Sequence, residues 1–425
     1  MSIAEVRIWD QRVGAIASDD GAITFEYDSR FVARRIEVSP ITLPLGPGAH
    51  RFDPALFGGL PGLLSDSLPD RFGNALIDAW LATEGKSKSE FDLVDRLCYI
   101  GRRGMGALEF KPSKGPVGTK RHAIQIEDMV ELSSSVLNER ESFETSLEGS
   151  KEQAVKDLLS IGTSAGGARA KAVIAWNRET GQIRSGQVDA GPSFEHWLIK
   201  FDGVSDTREG DLSGPGGYGV REYGYALMAR AAGINMSPSQ ILEEGDRRHF
   251  MTKRFDRKGN QKVHMQSLSA LANLDFNLPT HAYEQALLVG RELEVEMSDL
   301  EQQFRRMVFN IVARNQDDHA KNIAFLMNRK GDWHLSPAFD LTYAYNPRGV
   351  HTSKHQMSVN GKRDGFTMKD LEACAASASL RRTLTREVVE DVTDAVSRWP
   401  EFAEKAGVPE ETMDRIGKAH RLKFS

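Results

Sequence analysis

The chain has 425 residues, which is enough for two or three domains with a substantial buried core. Hydrophobic residues make up 40% and charged residues 27%, as in ordinary soluble globular proteins. The net charge of −5 argues against a protein that binds nucleic acid unaided, because such proteins are usually basic. Cys98 and Cys374 form no CxxC pair and no zinc-ligand spacing, so we expect two reduced thiols. The N-terminus shows no secretory segment and no apolar run reaches about 18 residues, which predicts a cytoplasmic protein.

The first part of the chain has the pattern of a small α+β domain. Short alternating apolar runs between residues 4 and 36, separated by turn residues, predict an antiparallel β-meander. The spacing of apolar residues predicts a helix from Arg71 to Thr83. A strand-like run follows at residues 107–110, so we place the first domain at residues 1–112.

Two further parts follow along the chain. Residues 126–270 begin with a helical region over 126–159 and continue with strands, a Gly-rich loop and a helix predicted from Glu222 to Ala232. Residues 271–425 are mostly helical, apart from a strand pair near 322–338.

The strongest chemical signal is the polar segment 315–322, which reads Asn-Gln-Asp-Asp-His-Ala-Lys-Asn between an amphipathic helix and an apolar run. Asp317 and Asn322 have the spacing of a kinase catalytic loop, in which the Asp orients the attacking hydroxyl and accepts its proton, and the Asn binds magnesium. On its own, the segment is equally compatible with a polar turn that does no chemistry.

The residues downstream strengthen the kinase interpretation. Two strand-like runs, 323–327 and 333–339, surround a turn and end at Asp340. Kinases place a metal-binding carboxylate after such a hairpin. Mg²⁺ prefers oxygen ligands, and Asn322 with Asp340 would supply two of them.

Residues for binding a nucleotide occur upstream. The apolar run 197–200 ends in Lys200, and Glu222 lies 22 residues further on, which is the order of a kinase nucleotide clamp. A solvated lysine at a strand end is the alternative. The Gly-rich segment 162–171 could approach phosphates closely, although it is neither GxGxxG nor a P-loop motif. The run 249–257 could form an inter-lobe hinge or simply a strand followed by a turn.

In this order, these motifs resemble the HipA family of toxin kinases. The motifs that carry the resemblance are Ser164 to Lys171, Lys200, Lys253 to Arg257, Asp317 to Asn322 and Ser336 to Asp340, with a further similar sequence at Leu64 to Gly73. The resemblance implies an α+β fold with two kinase-like lobes, a small β-rich N-terminal domain and a mostly helical C-terminal lobe.

The resemblance also implies residue roles. Asp317 would be the catalytic base, and Asn322 and Asp340 would hold Mg²⁺. The residues expected around ATP are Gly166, Gly167, Ala168, Arg169, Ala170, Lys171, Lys200, Glu222, Lys253, Arg254, Phe255, His319, Ala320, Lys321, Asn322, Phe339 and Asp340. Some relatives have an acidic residue where Lys253 stands, and the ribose partner, with Asp256 as a candidate, is left open.

Regulation and partners are implied in the same way. Members of the family autophosphorylate a serine at the start of the Gly-rich loop, which ejects the loop and inactivates the kinase. This serine corresponds to Ser164, with Thr163 and Ser160 as neighbouring alternatives. A helix-turn-helix antitoxin neutralises them and tethers them to operator DNA. Their targets include aminoacyl-tRNA synthetases, so a protein substrate of that kind is expected.

Two other functions remain open from the sequence. A small-molecule kinase would use the same nucleotide site, because the chemistry of phosphoryl transfer does not identify the acceptor. A degenerate kinase acting as a co-repressor scaffold is the non-enzymatic alternative, but Lys200, Asp317, Asn322 and Asp340 are all present.

Overall fold

The computed structural model describes residues 1–115, 124–138, 158, 169–186, 190–204 and 217–424. The chain divides into two compact units. Unit 1 contains Met1–Glu37, Pro44–Gly219 and Gln240–Met265, and unit 2 contains Val38–Leu43, Val220–Ser239 and Gln266–Ser425. Within the described ranges, no helix has both the length and the apolar character needed to cross a membrane.

Unit 1 begins with a five-stranded antiparallel sheet, in the order β4-β3-β2-β1-β5. Buried and accessible residues alternate along β1, which places Ala4, Val6 and Ile8 in the core. The predicted meander is therefore present. The strands are β1 Ser2–Ile8, β2 Gln11–Asp19, β3 Ala22–Tyr27, β4 Ala49–Arg51 and β5 Leu108–Lys111.

The helices of unit 1 are short except for two. The predicted helix Arg71–Thr83 has the same bounds in the structure. It begins at Arg71 because the Asp70 side chain caps its N-terminus by accepting a hydrogen bond from Gly73 N. The helical region predicted over 126–159 begins with a helix, and its later part lies mostly outside the described residues. The helices are α1 Ser29–Val32, α2 Gly62–Ser65, α3 Arg71–Thr83, α4 Leu93–Ile100 and α5 Ile126–Asn138, with 3₁₀ turns at Phe57–Gly59 and Lys88–Glu90.

A second five-stranded sheet has the order β7-β6-β8-β10-β9. Its apolar face shares one core with α3 and α5, including Phe72, Leu76, Met129 and Trp197. Lys171 on β6 and Phe250 on β10 both lie opposite Lys200 on β8. The strands are β6 Lys171–Trp176, β7 Ile183–Ser185, β8 Glu195–Lys200, β9 Ser239–Glu244 and β10 Arg247–Lys253, followed by the hairpin β11 Arg257–Lys258 and β12 Gln261–Lys262.

Unit 2 is mostly helical. Its central helix buries Phe304, Val308, Ile311 and Val312 on one face, as the sequence predicts. The helices are α6 Tyr218–Ala231, which begins in unit 1, α7 Leu268–Leu271, α8 Tyr283–Glu292, α9 Met297–Val312, α10 Met368–Ser377, α11 Arg382–Ser397, α12 Trp399–Ala406 and α13 Glu410–Ala419.

Two small sheets complete the described fold. The predicted strand pair near 322–338 is an antiparallel hairpin, but its second strand ends at Leu335 and not at Phe339. Pro337 has no N–H to continue the ladder. The sheets are β13-β15-β16, from His264–Ser267, Ala324–Met327 and Trp333–Leu335, and the parallel pair β14 His281–Ala282 with β17 Met357–Ser358.

Candidate functional site

In unit 1, the strand-end lysine Lys200 lies at the end of β8 and is only partly exposed. Its Nζ lies 5.9 Å from the centre of the Phe250 ring. A lysine on an apolar sheet is stabilised by an anion, and ATP phosphates would be suitable partners. The expected clamp partner Glu222 is buried in unit 2, and the pairing of the two residues stays a prediction.

The helix that carries Glu222 begins earlier than predicted. It starts at Tyr218 and not at Glu222, after Gly217 with φ of 85°. Gly217 N donates to Asp202 Oδ1 over 3.1 Å, which fixes the chain just before the helix. Glu222 therefore lies in the second turn of α6 and not at its opening.

Part of the predicted Gly-rich loop is described. The guanidinium of Arg169 lies 3.6 Å from the centre of the Tyr218 ring, a cation–π contact. Ala170 is buried, and its carbonyl accepts a bond from Phe201 N. The candidates Ser160, Thr163, Ser164, Gly166, Gly167 and Ala168 lie outside the described residues.

Lys171, the last residue of that loop, has its side chain in the core. Its Nζ lies 3.5 Å from Asp70 Oδ2, and the side chains are only 4% and 5% exposed. The charge of Lys171 is thus opposed within the protein. The predicted contact of Lys171 with a nucleotide stays a prediction.

The predicted hinge contains one open ion pair. Lys253 Nζ lies 2.5 Å from Glu195 Oε1, and both side chains are about a third exposed, at 38% and 31%. Phe255 is partly exposed, and Arg254 N donates to His196 O, which joins the turn to β8.

The other charges of the hinge are buried in one network. Asp256 is fully buried and accepts bonds from Arg254 Nε at 2.9 Å, Arg257 Nη1 at 2.7 Å and Gly106 N at 2.8 Å. Burial alone would raise the pKa of Asp256, but the two guanidiniums hold it well below its usual range. Asp256 therefore has no exposed surface with which to bind a ribose, and the Arg254 side chain is committed to the same network.

In unit 2, the predicted catalytic loop follows directly from α9. Arg314 takes a positive φ of 59°, where the chain leaves the helix. The loop is then fixed by bonds from Asn315 N to Asn310 O and from Gln316 N to Ala344 O. These bonds fix the position of the backbone directly before the next residue, Asp317.

Asp317 projects from this loop with its side chain 51% exposed. Its Oδ1 lies 3.8 Å from His319 Nε2. An accessible carboxylate next to an imidazole is suited to accept a proton from a hydroxyl group.

Asn322 is held by the same loop. Its Nδ2 donates to Asp317 O over 3.0 Å, so the amide oxygen is directed away from that carbonyl. Asn322 and Phe339 line one pocket, which brings the loop together with the residue before Asp340.

Asp340 has a φ of 57°, a conformation that costs energy for a residue other than glycine and is often found at functional sites. The described residues contain no group of three or more His, Cys, Asp or Glu that could hold a metal ion. The predicted pair Asn322 and Asp340 would supply two oxygen ligands, so Mg²⁺ would need waters and nucleotide phosphates to complete its octahedral coordination.

Two of the remaining loop residues, His319 and Lys321, lie beside one aromatic ring. The His319 ring lies 5.4 Å from that of Phe276, and Lys321 Nζ lies 4.9 Å from the Phe276 ring centre. Ala320 is buried, and it begins the 3₁₀ turn Ala320–Asn322. The phenyl ring thus orients both basic side chains of the loop.

Sequence reasoning missed the role of Asp318. This carboxylate is fully buried and lies 2.7 Å from His355 Nδ1, and it accepts bonds from Tyr283 OH at 2.8 Å and Gln356 N at 2.7 Å. Burial alone would raise its pKa, but these three partners lower it. The only signal in the sequence was the Asp-Asp pair, which does not tell which of the two aspartates is buried.

Comparison with known families matches both parts of the chain. The HipA-like C-terminal domain matches residues 163–399, and the HipA N-terminal domain matches residues 4–111. The first match alone covers more than half of the chain. The chain therefore belongs to the HipA family, as its motifs predict.

Two individual relatives are informative. A putative kinase, Y4dM, from Sinorhizobium fredii (strain NBRC 101917 / NGR234) is 28% identical over 213 residues, which are 45% of this chain and 50% of that protein. The aligned region thus spans about half the length of that relative. The solved HipA of Shewanella oneidensis MR-1, in complex with HipB and operator DNA, has a TM-score of 0.65 at 15% identity and covers 98% of this chain and 94% of that one. This likeness confirms the predicted α+β fold with a sheet-rich N-terminal part.

Proposed function

We propose that the protein is an ATP-dependent serine/threonine protein kinase of a HipA-type toxin–antitoxin module. The observation that carries the proposal is the contrast between neighbouring aspartates. Asp317 is half exposed on a rigid loop, whereas Asp318 is buried and fixes that loop. A reactive carboxylate needs access to its substrate and a support that does not move.

The proposed chemistry uses the exposed carboxylate of Asp317 in unit 2. Asp317 accepts a hydrogen bond from the acceptor hydroxyl and takes its proton as the oxygen attacks. Asn322 and Asp340 would hold Mg²⁺ through their side-chain oxygens. When bound, Mg²⁺–ATP supplies the transferable phosphoryl group and the cationic charge that neutralises its oxygens.

On the side of unit 1, Lys200 and the Gly-rich loop would contact the phosphates, and the backbone of residues 253–255 would meet the adenine. Glu222, His319 and Lys321 complete the proposed nucleotide site.

The proposed partners follow from family membership. A helix-turn-helix antitoxin would inhibit the kinase and connect it to operator DNA, as HipB and DNA accompany the Shewanella protein. The substrate would be a cytoplasmic translation protein such as an aminoacyl-tRNA synthetase. Autophosphorylation at Ser164, or at Thr163 or Ser160, would switch the kinase off, because a phosphate adds about −1.5 to −2 charge beside ATP.

The test is phosphate transfer by Asp317→Asn. We expect transfer from γ-labelled ATP to fall by about a thousandfold or more, with ATP affinity within a factor of two, because the acceptor loses its base and orienting partner. Growth inhibition on expression should disappear with it. Asp414→Asn, at an exposed carboxylate on α13, is the matched control. Full activity in Asp317→Asn would refute the assignment.

A further inference from the structure

The chain after Asp340 has an unusual charge distribution. The 23 residues 341–363 contain no Asp or Glu, although the whole chain carries a net charge of −5. The basic residues of this acid-free segment are Arg348, Lys354, Lys362 and Arg363, with histidines at 351 and 355.

The catalytic loop itself fixes both ends of the exposed part of this segment. At the first end, Ala344 N donates to Arg314 O and Gln316 N donates to Ala344 O, each over 3.1 Å. At the other end, Asp318 binds His355 Nδ1 and Gln356 N, each over 2.7 Å. Residues 316 and 318 flank Asp317, so the segment leaves and rejoins the loop beside the proposed catalytic base.

Between these two attachments the chain is open to solvent. Residues 347, 348, 350, 351 and 354 are exposed, and Val350 is 91% exposed at the tip. When a partner covers an apolar side chain that was exposed to water, the free energy of the system falls.

Two of the four cations are not used by the fold. Lys362 Nζ lies 2.8 Å from Asp370 Oδ2, and Arg363 Nε donates to His355 O over 2.5 Å. The side chains of Arg348 and Lys354, in contrast, form neither an ion pair nor a hydrogen bond with any residue in the part of the chain that the structure describes. The exposed stretch therefore presents two uncompensated positive charges.

We propose that residues 344–356 form the docking surface for the protein acceptor, and that Arg348 and Lys354 select acceptors whose serine or threonine lies in an acidic stretch. The inference rests on the proposed function and names the substrate class of the same site. Val350 would contact an apolar side chain of the acceptor, and its two cationic neighbours would attract the flanking carboxylates. A nucleic acid is a poorer match, because its phosphate backbone is usually met by a larger basic surface than two side chains.

Labelled peptides test the docking directly. Three serine peptides of equal length, flanked by Glu, Ala or Lys, are titrated onto the full chain without ATP and followed by fluorescence anisotropy. We expect the Glu-flanked peptide to bind roughly tenfold tighter than the Lys-flanked one, and the difference to shrink as salt rises, because these charges are exposed. Equal affinities, or tighter binding of a single-stranded RNA oligomer of the same length, would overturn the proposal.

Charge variants show whether these two residues are responsible. Arg348→Ser/Lys354→Ser should lose the preference, and Arg348→Glu/Lys354→Glu should reverse it in favour of the Lys-flanked peptide. Lys369→Ser/Lys405→Ser removes the same charge at two exposed helical positions and should keep the preference. An equal loss in that control pair would mean that net charge, and not this segment, decides.

Adding Mg²⁺ and ATP separates the inference from the proposed function. Selective binding together with faster phosphorylation of the Glu-flanked peptide supports both. Selective binding without phosphorylation of any acceptor would leave the docking surface intact and refute the kinase. Phosphorylation of all three peptides at equal KM would refute the acidic selection and leave the kinase intact.

Discussion

The two units hold the charged residues of the predicted motifs in different ways. In unit 1, Lys171 and Asp256 are almost completely buried, and each is opposed by a charge within the same unit. In unit 2, Asp317 is 51% exposed, while its sequence neighbour Asp318 is fully buried. The buried charges Lys171, Asp256 and Asp318 thus serve the fold, whereas Asp317 remains accessible to a ligand.

The difference teaches how to interpret a charged motif. A charge that is buried with its partner mostly fixes local geometry, because its removal leaves the partner unpaired in a medium of low dielectric. A charge that is exposed on a loop of fixed geometry can interact with a ligand. Substitutions in the two groups should therefore change different measured quantities, stability in one and binding or transfer in the other.

The largest expected loss of stability is at Asp256. Asp256→Ala would leave the guanidiniums of Arg254 and Arg257 buried without their carboxylate, which should lower the free energy of unfolding by about 3–5 kcal/mol. Urea denaturation followed by circular dichroism measures this. Asp246→Ala, at an exposed turn between β9 and β10, is the control and should change stability little. A loss of stability in Asp256→Ala no larger than in the control would show that this buried charge does not stabilise the fold.

The same network predicts a pH dependence. The pKa of the Asp256 carboxyl is lower in the folded than in the unfolded protein, so folding releases a proton at pH values between these two pKa values. Its stabilisation is present above the unfolded-state value of about 4 and is lost as the pH falls toward the lower folded-state pKa. Asp256→Ala should therefore flatten the decline of stability below about pH 4, and an unchanged decline would contradict the prediction.

How much of this was predictable differs between the two units. The bounds of α3 and the β-meander followed from the spacing of apolar residues, which is a local signal. The spacing of Asp317 and Asn322 indicated the loop, which the structure places directly after α9.

Burial of the charges could not be predicted in the same way. The partners of Asp256 include Gly106, 150 residues away, and His355 lies 37 residues from Asp318. Such contacts are set by tertiary packing, and no spacing in a single sequence encodes them. This is why Lys171, Arg254 and Asp256 had the pattern of ligand-binding residues although their side chains are buried.

The proposed metal ligand Asp340 is, like Asp317, partly exposed. Asp340→Asn should weaken Mg²⁺-dependent nucleotide binding by about a hundredfold, or about 2.7 kcal/mol, because a charged ligand of a two-ligand site is lost. Asparagine tolerates the positive φ at this position. Titration of a fluorescent ATP analogue with and without Mg²⁺ measures the effect, with Asp332→Asn in the exposed hairpin turn as control. Tight Mg²⁺ binding without nucleotide would contradict this two-ligand site.

Asp318 tests the buried member of the aspartate pair. Asp318→Asn keeps an acceptor for Gln356 N but loses the charge opposite His355, so we expect a loss of about 1–2 kcal/mol in stability. As a positioning residue, it should lower kcat by roughly tenfold with the KM for ATP within a factor of two. Amide exchange in residues 344–356 should become faster. Tyr283→Phe, which removes one neutral bond, should have a smaller effect, and unchanged exchange would exclude the positioning role.

The effect of replacing Lys171 distinguishes two roles of its side chain, one in stabilising the fold and one in binding phosphates. If its side chain serves the fold, Lys171→Met should lower stability by about 1–2 kcal/mol, since methionine fills the space and Asp70 retains its bond from Gly73 N. ATP affinity should stay within a factor of two. Lys200→Met is the matched comparison and should lose at least tenfold in ATP affinity with little change in stability. The double variant Lys171→Met/Asp70→Asn should recover most of the stability, because asparagine also caps a helix and no buried charge remains. A fall in ATP affinity in Lys171→Met equal to that in Lys200→Met would instead place both lysines at the phosphates.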